Sequence, residues 1–346
     1  MEDLGGDPIA ELITSFNELN PNAVEELYEE PTPLEFMRYV ARNTPFVIRG
    51  GASDWRGIRR WNAAYLRETL TGHRVNIAVT PTGRADAPTP IIVKEGRDEH
   101  EELVFAKPHE ESQRFEDFLD FLAAQEKGEE ENGEEEEEEE EEGEVRYAQT
   151  QNDNLRNEYS FFSHQAPPSI PFARIALGRE PDAVNMWIGS SRSVTALHRD
   201  NYENVYVQVA GAKHFVLLPA LCQPCVNERE LVPASYSREE GEEDGGGRRL
   251  RLEVEEDGDK VPFAVWDPDD PEVRATKYSH LARPLRFTLN PGDMLYLPAM
   301  WYHKVSQSCS DEGICVSINY WYDMDFSGPL YPLTSLVRTL GNPATK

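Results

Sequence analysis

The chain has 346 residues and a formal net charge of −30, from 64 Asp and Glu against 34 Lys and Arg. That balance excludes a protein built to grip nucleic acid or an anionic membrane, since both need a basic face. No run of about 18 apolar residues occurs, which excludes a transmembrane helix. Hydrophobic residues still make up 39% of the chain, enough for a sizeable core. The opening MEDLGGDPIAEL lacks a basic stretch followed by an apolar one, so no secretory signal is expected. Four cysteines do not make a disulfide framework, and the expected setting is the cytoplasm, with the nucleus also open.

The charge is uneven. Residues 126–144 hold 14 Glu and one Lys, and residues 238–260 hold ten acids and five bases. Outside those two segments the net charge is only −12. The first is read as a disordered acidic loop, because dense like charge with little apolar content cannot offset the entropy of ordering.

In chain order, Asp7-Pro8 offers a cap and a first-turn proline for a helix over IAELITSFNEL. Thr32-Pro33 repeats that signal before LEFMRYVARN. PFVIRG at 45–50 reads as a strand, residues 62–72 as a helix stopped at Gly72, and VNIAVT at 75–80 as a strand. Residues 112–125 read as an amphipathic helix. From Val145 the pattern turns to short strands rich in Val, Tyr, Phe and Trp, bounded by Gly, Pro and Asn. NVYVQV-AGA-KHFVLL resembles a hairpin on a Gly-containing turn. Many such strands suggest a sandwich or jelly roll. Residues 221–284 read as a long insertion between strands, and PLYPLTSLVRTLG as a helical tail. The expected organisation is a helix-and-strand region over 1–125, the acidic loop over 126–144, a catalytic domain over 145–325 with an acidic insertion near 236–260, and a tail over 326–346.

Among eight histidines one pattern stands out: His198-Arg199-Asp200, with His303 far downstream in GDMLYLPAMWYHKVSQS. A strand points residues i and i+2 to one face, so His198 and Asp200 can share it. Two imidazoles and a carboxylate on one face of a metal form the triad favoured by non-haem Fe(II) oxygenases. The plain alternatives are a surface His beside an Asp, and a packed core histidine at 303. Cys222-Gln-Pro-Cys225 has metal or redox spacing, but Cys309 and Cys315 supply no matching pair, so ordinary thiols are expected. Trp187, Trp301, Tyr302, Tyr320, Trp321 and Tyr322 are read mainly as core, with one or two left for a substrate channel.

The stretches AVNMWIGSSRSVTALHRDNYENVYVQVAGAKHFVLLPA, PGDMLYLPAMWYHKVSQS and VSINYWYDMDF together resemble a Jumonji-C oxygenase, most closely the small hydroxylase branch. The resemblance covers nearly the whole chain except the two acidic segments. It implies a mainly β double-stranded β-helix (jelly-roll, cupin-like) domain with flanking helices. It implies Fe(II) held by His198, Asp200 and His303, with 2-oxoglutarate and O2 as co-substrates. By the same match, Lys213, Thr195 and Tyr147 hold the distal carboxylate of 2-oxoglutarate, while Asn204 and Asn319 lie near its iron-bound end. An offset of three between Thr195 and His198 cannot belong to a plain strand, so a bulge is expected there. The implied activity is hydroxylation of a protein side chain, a lysine in a basic segment of a GTP-binding protein. The rivals are N-methyl-lysine demethylation, a peptidase and a non-catalytic cupin-like interaction module; no His-Glu-x-x-His or nucleophile motif supports the peptidase. A homodimer through the C-terminal helices is also consistent with the resemblance.

Overall fold

The computed structural model describes residues 6–95, 98–132, 143–238, 249–255 and 257–341. The first part of the chain gives α1 (Pro8–Leu19), β1 (Glu25–Leu27), α2 (Pro33–Arg42), β2 (Phe46–Ile48), α3 (Arg56–Arg60), α4 (Ala63–Leu70), β3 (Arg74–Thr80), β4 (Ala87–Glu95), β5 (Asp98–Lys107), β6 (His109–Arg114) and α5 (Phe115–Asn132). Then follow β7 (Val145–Ala148), α6 (Pro171–Leu177), β8 (Ala183–Gly189), β9 (Thr195–Arg199), β10 (Tyr202–Ala210), β11 (Ala212–Leu218), β12 (Glu228–Arg238), β13 (Leu250–Val254), β14 (Val261–Ala264), β15 (Leu285–Leu289), β16 (Met294–Leu297), β17 (Tyr302–Ser308), β18 (Cys315–Asp323) and α7 (Leu330–Gly341).

Among the described residues these strands form three sheets. The largest runs β1-β2-β16-β10-β18-β8-β7-β3-β6, and a four-stranded sheet runs β15-β11-β17-β9. The third, β13-β12-β5-β4 with β14 on β12, is built from two excursions of the chain. An apolar cluster joins the first two sheets: Tyr147, Trp187 and Tyr206 from one meet Phe215, Leu217, Leu289 and Val305 from the other.

The two helix starts read from Asp-Pro and Thr-Pro are built as their chemistry requires. The Asp7 carboxylate accepts from Ile9 N at 3.0 Å. Thr32 and Glu35 form a reciprocal capping box on α2. The N-terminal region is joined to the large sheet by hydrogen bonds, since β2 pairs with β16. Phe36, Phe46 and Tyr296, all fully buried, meet at ring distances of 4.8 to 6.2 Å. Each such ring contributes about 1.5–3 kcal/mol by leaving water, so α2 and the sheet edge are held as one core.

Four sequence expectations change. The segment NVYVQV-AGA-KHFVLL is not a hairpin: β10 bonds to β16 and β18, whereas β11 bonds to β15 and β17. The chain crosses between sheets at Gly211, which takes φ +67° and comes so close to Ser308 that a Cβ would lie 2.4 Å from its carbonyl oxygen. The competing partners of β11 lie about 70 to 95 residues downstream, beyond any local turn signal. Residues 112–114 belong to strand β6, and α5 starts at Phe115. That helix runs on to Asn132, so the start of the segment expected to be loop is helical; residues 133–142 lie outside the described residues. The stretch 221–284 contains β12, β13 and β14, while residues 239–248 and 256 of its acidic part also lie outside. The charged β4–β5 pair lacks the alternation that would mark it, because it lies in the satellite sheet away from the main core.

Replacing Gly211 by alanine would force a left-handed φ on a Cβ that strikes backbone. We expect a stability loss of about 2–4 kcal/mol, read as a lower urea midpoint with an unchanged slope.

Candidate metal centre

β9 and β17 run antiparallel, and His198 stands directly opposite His303. Their rings are 4.1 Å apart. The pairing steps two residues along β17, from His303 to Val305, while β9 steps three, from His198 to Thr195. The extra residue is the bulge expected from the Thr195–His198 offset, and it brings Thr195 to the same cavity as the histidine. Asp200 lies just past the end of β9. Its Oδ2 is 3.7 Å from Nε2 of both histidines. The loop around it is pinned from two sides: Met300 N donates to Asp200 O at 2.7 Å, and Met324 N to Asn201 O at 3.1 Å. Met300 makes its bond from a left-handed backbone, φ +68°, a strain of the kind concentrated at sites.

The tautomers follow from the partners. His198 Nδ1 is 2.8 Å from Ala196 O, and His303 Nδ1 is 3.1 Å from Trp301 O. A carbonyl can only accept, so each Nδ1 carries a proton and each Nε2 is the ring nitrogen left to face Asp200. Burial, and then the neighbouring His198, push the His303 imidazole down to about 4, so it is neutral near pH 7. One ligand atom from each of the three residues lies within 4.8 Å of the others. Two neutral imidazole nitrogens and one carboxylate oxygen suit a divalent transition metal such as Fe(II) and leave its other face free.

All eight residues singled out in the sequence line one cavity between the two main sheets: Tyr147, Thr195, His198, Asp200, Asn204, Lys213, His303 and Asn319. Lys213 is 3% exposed and donates to the Tyr147 hydroxyl at 3.0 Å. Among the described residues no carboxylate comes within ion-pair distance of it. A dehydrated ammonium held only by a phenol is costly unless an anion joins it, so this end of the cavity fits a carboxylate ligand. Burial keeps the Tyr147 phenol protonated by pushing it well above its ordinary range. Tyr147 lies across from Gly189. A Cβ there would be 2.6 Å from the tyrosine ring, so only glycine leaves the ring its place. Nearer the triad, Asn319 accepts from Trp187 Nε1 at 2.9 Å and donates to Asn204 Oδ1 at 3.3 Å. With its oxygen engaged, Asn204 keeps its amide N–H groups for donation.

Other wall residues were not singled out. Tyr206 alternates with Asn204 on β10, so the two-residue strand period could have found it. Gln151 carries no comparable signal. Of the aromatic cluster, Trp187 and Trp321 line the cavity, while Tyr302, Tyr320 and Tyr322 are fully buried core. Trp321 stacks on Tyr202 at 4.8 Å, and its indole N–H is buried without a hydrogen-bond partner among the described residues. Cys222 and Cys225 are buried in an apolar cluster with Ile13 and Trp266, away from any metal grouping among the described residues.

Residues 31–328 match the profile of a family described as a cupin-like domain. The chain is 37% identical over 311 residues to a Homo sapiens protein named bifunctional peptidase and (3S)-lysyl hydroxylase JMJD7, covering 88% of this chain and 86% of that protein. It is 34% identical to the Arabidopsis thaliana lysine-specific demethylase JMJ32, over 88% and 82% of the two chains. It is 32% identical to JmjC domain-containing protein E of Dictyostelium discoideum, over 87% and 84%.

Replacing His198, Asp200 or His303 by alanine should each weaken Fe(II) binding at least about a hundredfold, measured by anaerobic titration. Near-normal binding in any of the three would contradict the ligand set.

Proposed function

The chain belongs to the cupin-like family and, within it, to the JmjC oxygenases, and on that premise we propose that it is an Fe(II)- and 2-oxoglutarate-dependent hydroxylase of a lysyl side chain in a protein substrate. One observation carries the reading: a His-Asp-His face at one end of a cavity whose other end holds a buried lysine with no carboxylate partner among the described residues. We read the two main sheets as a closed double-stranded β-helix around that cavity.

Fe(II) and 2-oxoglutarate supply the oxygen activation that attack on an unreactive C–H bond requires and that no side chain can provide. This chain does the rest. His198, Asp200 and His303 hold the metal on one side. Lys213 binds the distal carboxylate of 2-oxoglutarate as an ion pair, with hydroxyl donors from Tyr147 and Thr195. Asn204 and Asn319 would donate to the end of the co-substrate nearer the triad. Trp187 fixes Asn319, and the apolar wall of Phe215, Leu297 and Val305 limits water.

We place the target lysine in a basic segment of a GTP-binding protein. The −30 charge of the chain favours encounter with a basic segment. Among the described residues no helix is long and apolar enough to cross a membrane. Leu333, Leu336 and Leu340 are exposed on α7 at helical spacing, and we assign a homodimer contact to that face. The second reading, N-methyl-lysine demethylation, is favoured by the name of the Arabidopsis relative. Hydroxylation of an N-methyl carbon would give a hemiaminal, which splits into the free amine and formaldehyde.

Mass spectrometry separates the two. Lysine and methyl-lysine peptides incubated with Fe(II) and 2-oxoglutarate should gain about 16 Da by hydroxylation, against a loss of about 14 Da by demethylation. Exclusive loss from methylated peptides would overturn the hydroxylase reading. Lys213→Ala should raise the 2-oxoglutarate requirement at least about tenfold, the cost of a lost charged contact, and leave Fe(II) affinity close to wild type.

A further inference from the structure

We infer that Asp86 is the specificity residue that receives the ammonium group of the substrate lysine at the rim of the metal cavity. This rests on the lysyl-hydroxylase reading above and adds a residue to it.

Asp86 closes the turn between β3 and β4, and that turn is locked against the strand carrying the triad. Val194 N, next to Thr195, donates to Gly83 O at 3.0 Å. Gly83 takes φ +76°, and a Cβ on it would lie 2.0 Å from Arg192 O, so the two segments touch through backbone. Gly83 N is in turn bonded to Thr80 Oγ1 at 2.9 Å. From the other side, Gln149 Nε2 donates to Asp86 Oδ2 at 3.1 Å. Gln149 lies between Tyr147 and Gln151, both wall residues of the cavity. Asp86 itself is held at φ +50°, a left-handed backbone that a non-glycine residue adopts only when its surroundings impose it.

The carboxylate is fixed but not neutralised. Among the described residues no Lys or Arg forms an ion pair with it; Lys107, the cation whose field reaches it, is paired with Glu255 at 3.0 Å. Its one side-chain bond is from a neutral amide. Burial raises its proton affinity above the ordinary carboxylate range, and the bond from Gln149 acts the other way. An anion taken from water without a cation is held at a cost. A cation arriving with the substrate would offset that cost. Lysine supplies that charge on an extended arm. From the carbon next to Cα, three further methylenes and the nitrogen span roughly 5 Å, so the ammonium would stand that far from the carbon oxidised beside the metal, on the side where the proposal sets Asp86.

The test compares the lysine peptide hydroxylated in the mass-spectrometric screen with its norleucine counterpart, which lacks the ammonium. Wild type should prefer lysine about tenfold or more in kcat/KM. Asp86→Asn, which tolerates the left-handed backbone, should bring the preference to within about threefold by raising KM for the lysine peptide alone. Asp86→Glu should recover part of it. A structural role would depress both peptides together and leave the preference standing. Full preference in Asp86→Asn overturns the assignment while the hydroxylase reading stands. Failure of wild type to hydroxylate any lysyl peptide overturns the lysyl reading and this assignment with it.

Discussion

His198 and His303 are 105 residues apart in sequence and directly opposed across one antiparallel strand pair. Everything chemical in the molecule depends on that register. A slip of one residue would turn His303 to the opposite face of its sheet, because strand side chains alternate. The register is held on both flanks: β17 is also paired to β11 along its length, and the loop before it is bonded through Met300 to Asp200. The bulge in β9 then solves a second constraint. It lets a hydroxyl three residues before the first ligand face the same cavity as the ligand.

The cavity is polar at both ends for different reasons. At the triad, carbonyl acceptors fix each imidazole proton on Nδ1, which leaves neutral Nε2 atoms converging with a carboxylate. At the other end, a buried ammonium bonds to a phenol and to no carboxylate among the described residues. Neither arrangement is favourable by itself in a dehydrated interior. Each is completed by a group of complementary charge, a divalent metal and a carboxylate. The energetic incompleteness of the two ends is therefore informative about what binds between them. The same logic underlies the reading of Asp86, a carboxylate held by Gln149 with no cation paired to it among the described residues.

Much of the site was legible in the residues. His-x-Asp on a strand, a distant His and the motif resemblance located eight residues that share one cavity. Helix starts were legible because Asp-Pro and Thr-Pro act over one turn. Strand partnership was not. The Ala-Gly-Ala corner looks like a hairpin because a positive-φ glycine serves either a hairpin turn or a crossing between sheets. Choosing between them takes β15 and β17, which lie far downstream. Tyr206 was within reach of the two-residue period, whereas Gln151 and Asp86 lie in irregular backbone where no period applies.

The sequence by itself determined the ligand chemistry, since metal preference depends on donor type and His, Asp and His are donors wherever they sit. It also determined the acidic balance and the local helix caps, which depend on composition and neighbours. Only the tertiary structure decided that the donors converge, that Lys213 has no anion beside it among the described residues, and that a glycine at 189 makes room for Tyr147. Those are facts of distance and burial between segments far apart in the chain. Residue identity does not encode them, because the free energy of a buried charge depends on what the fold places beside it.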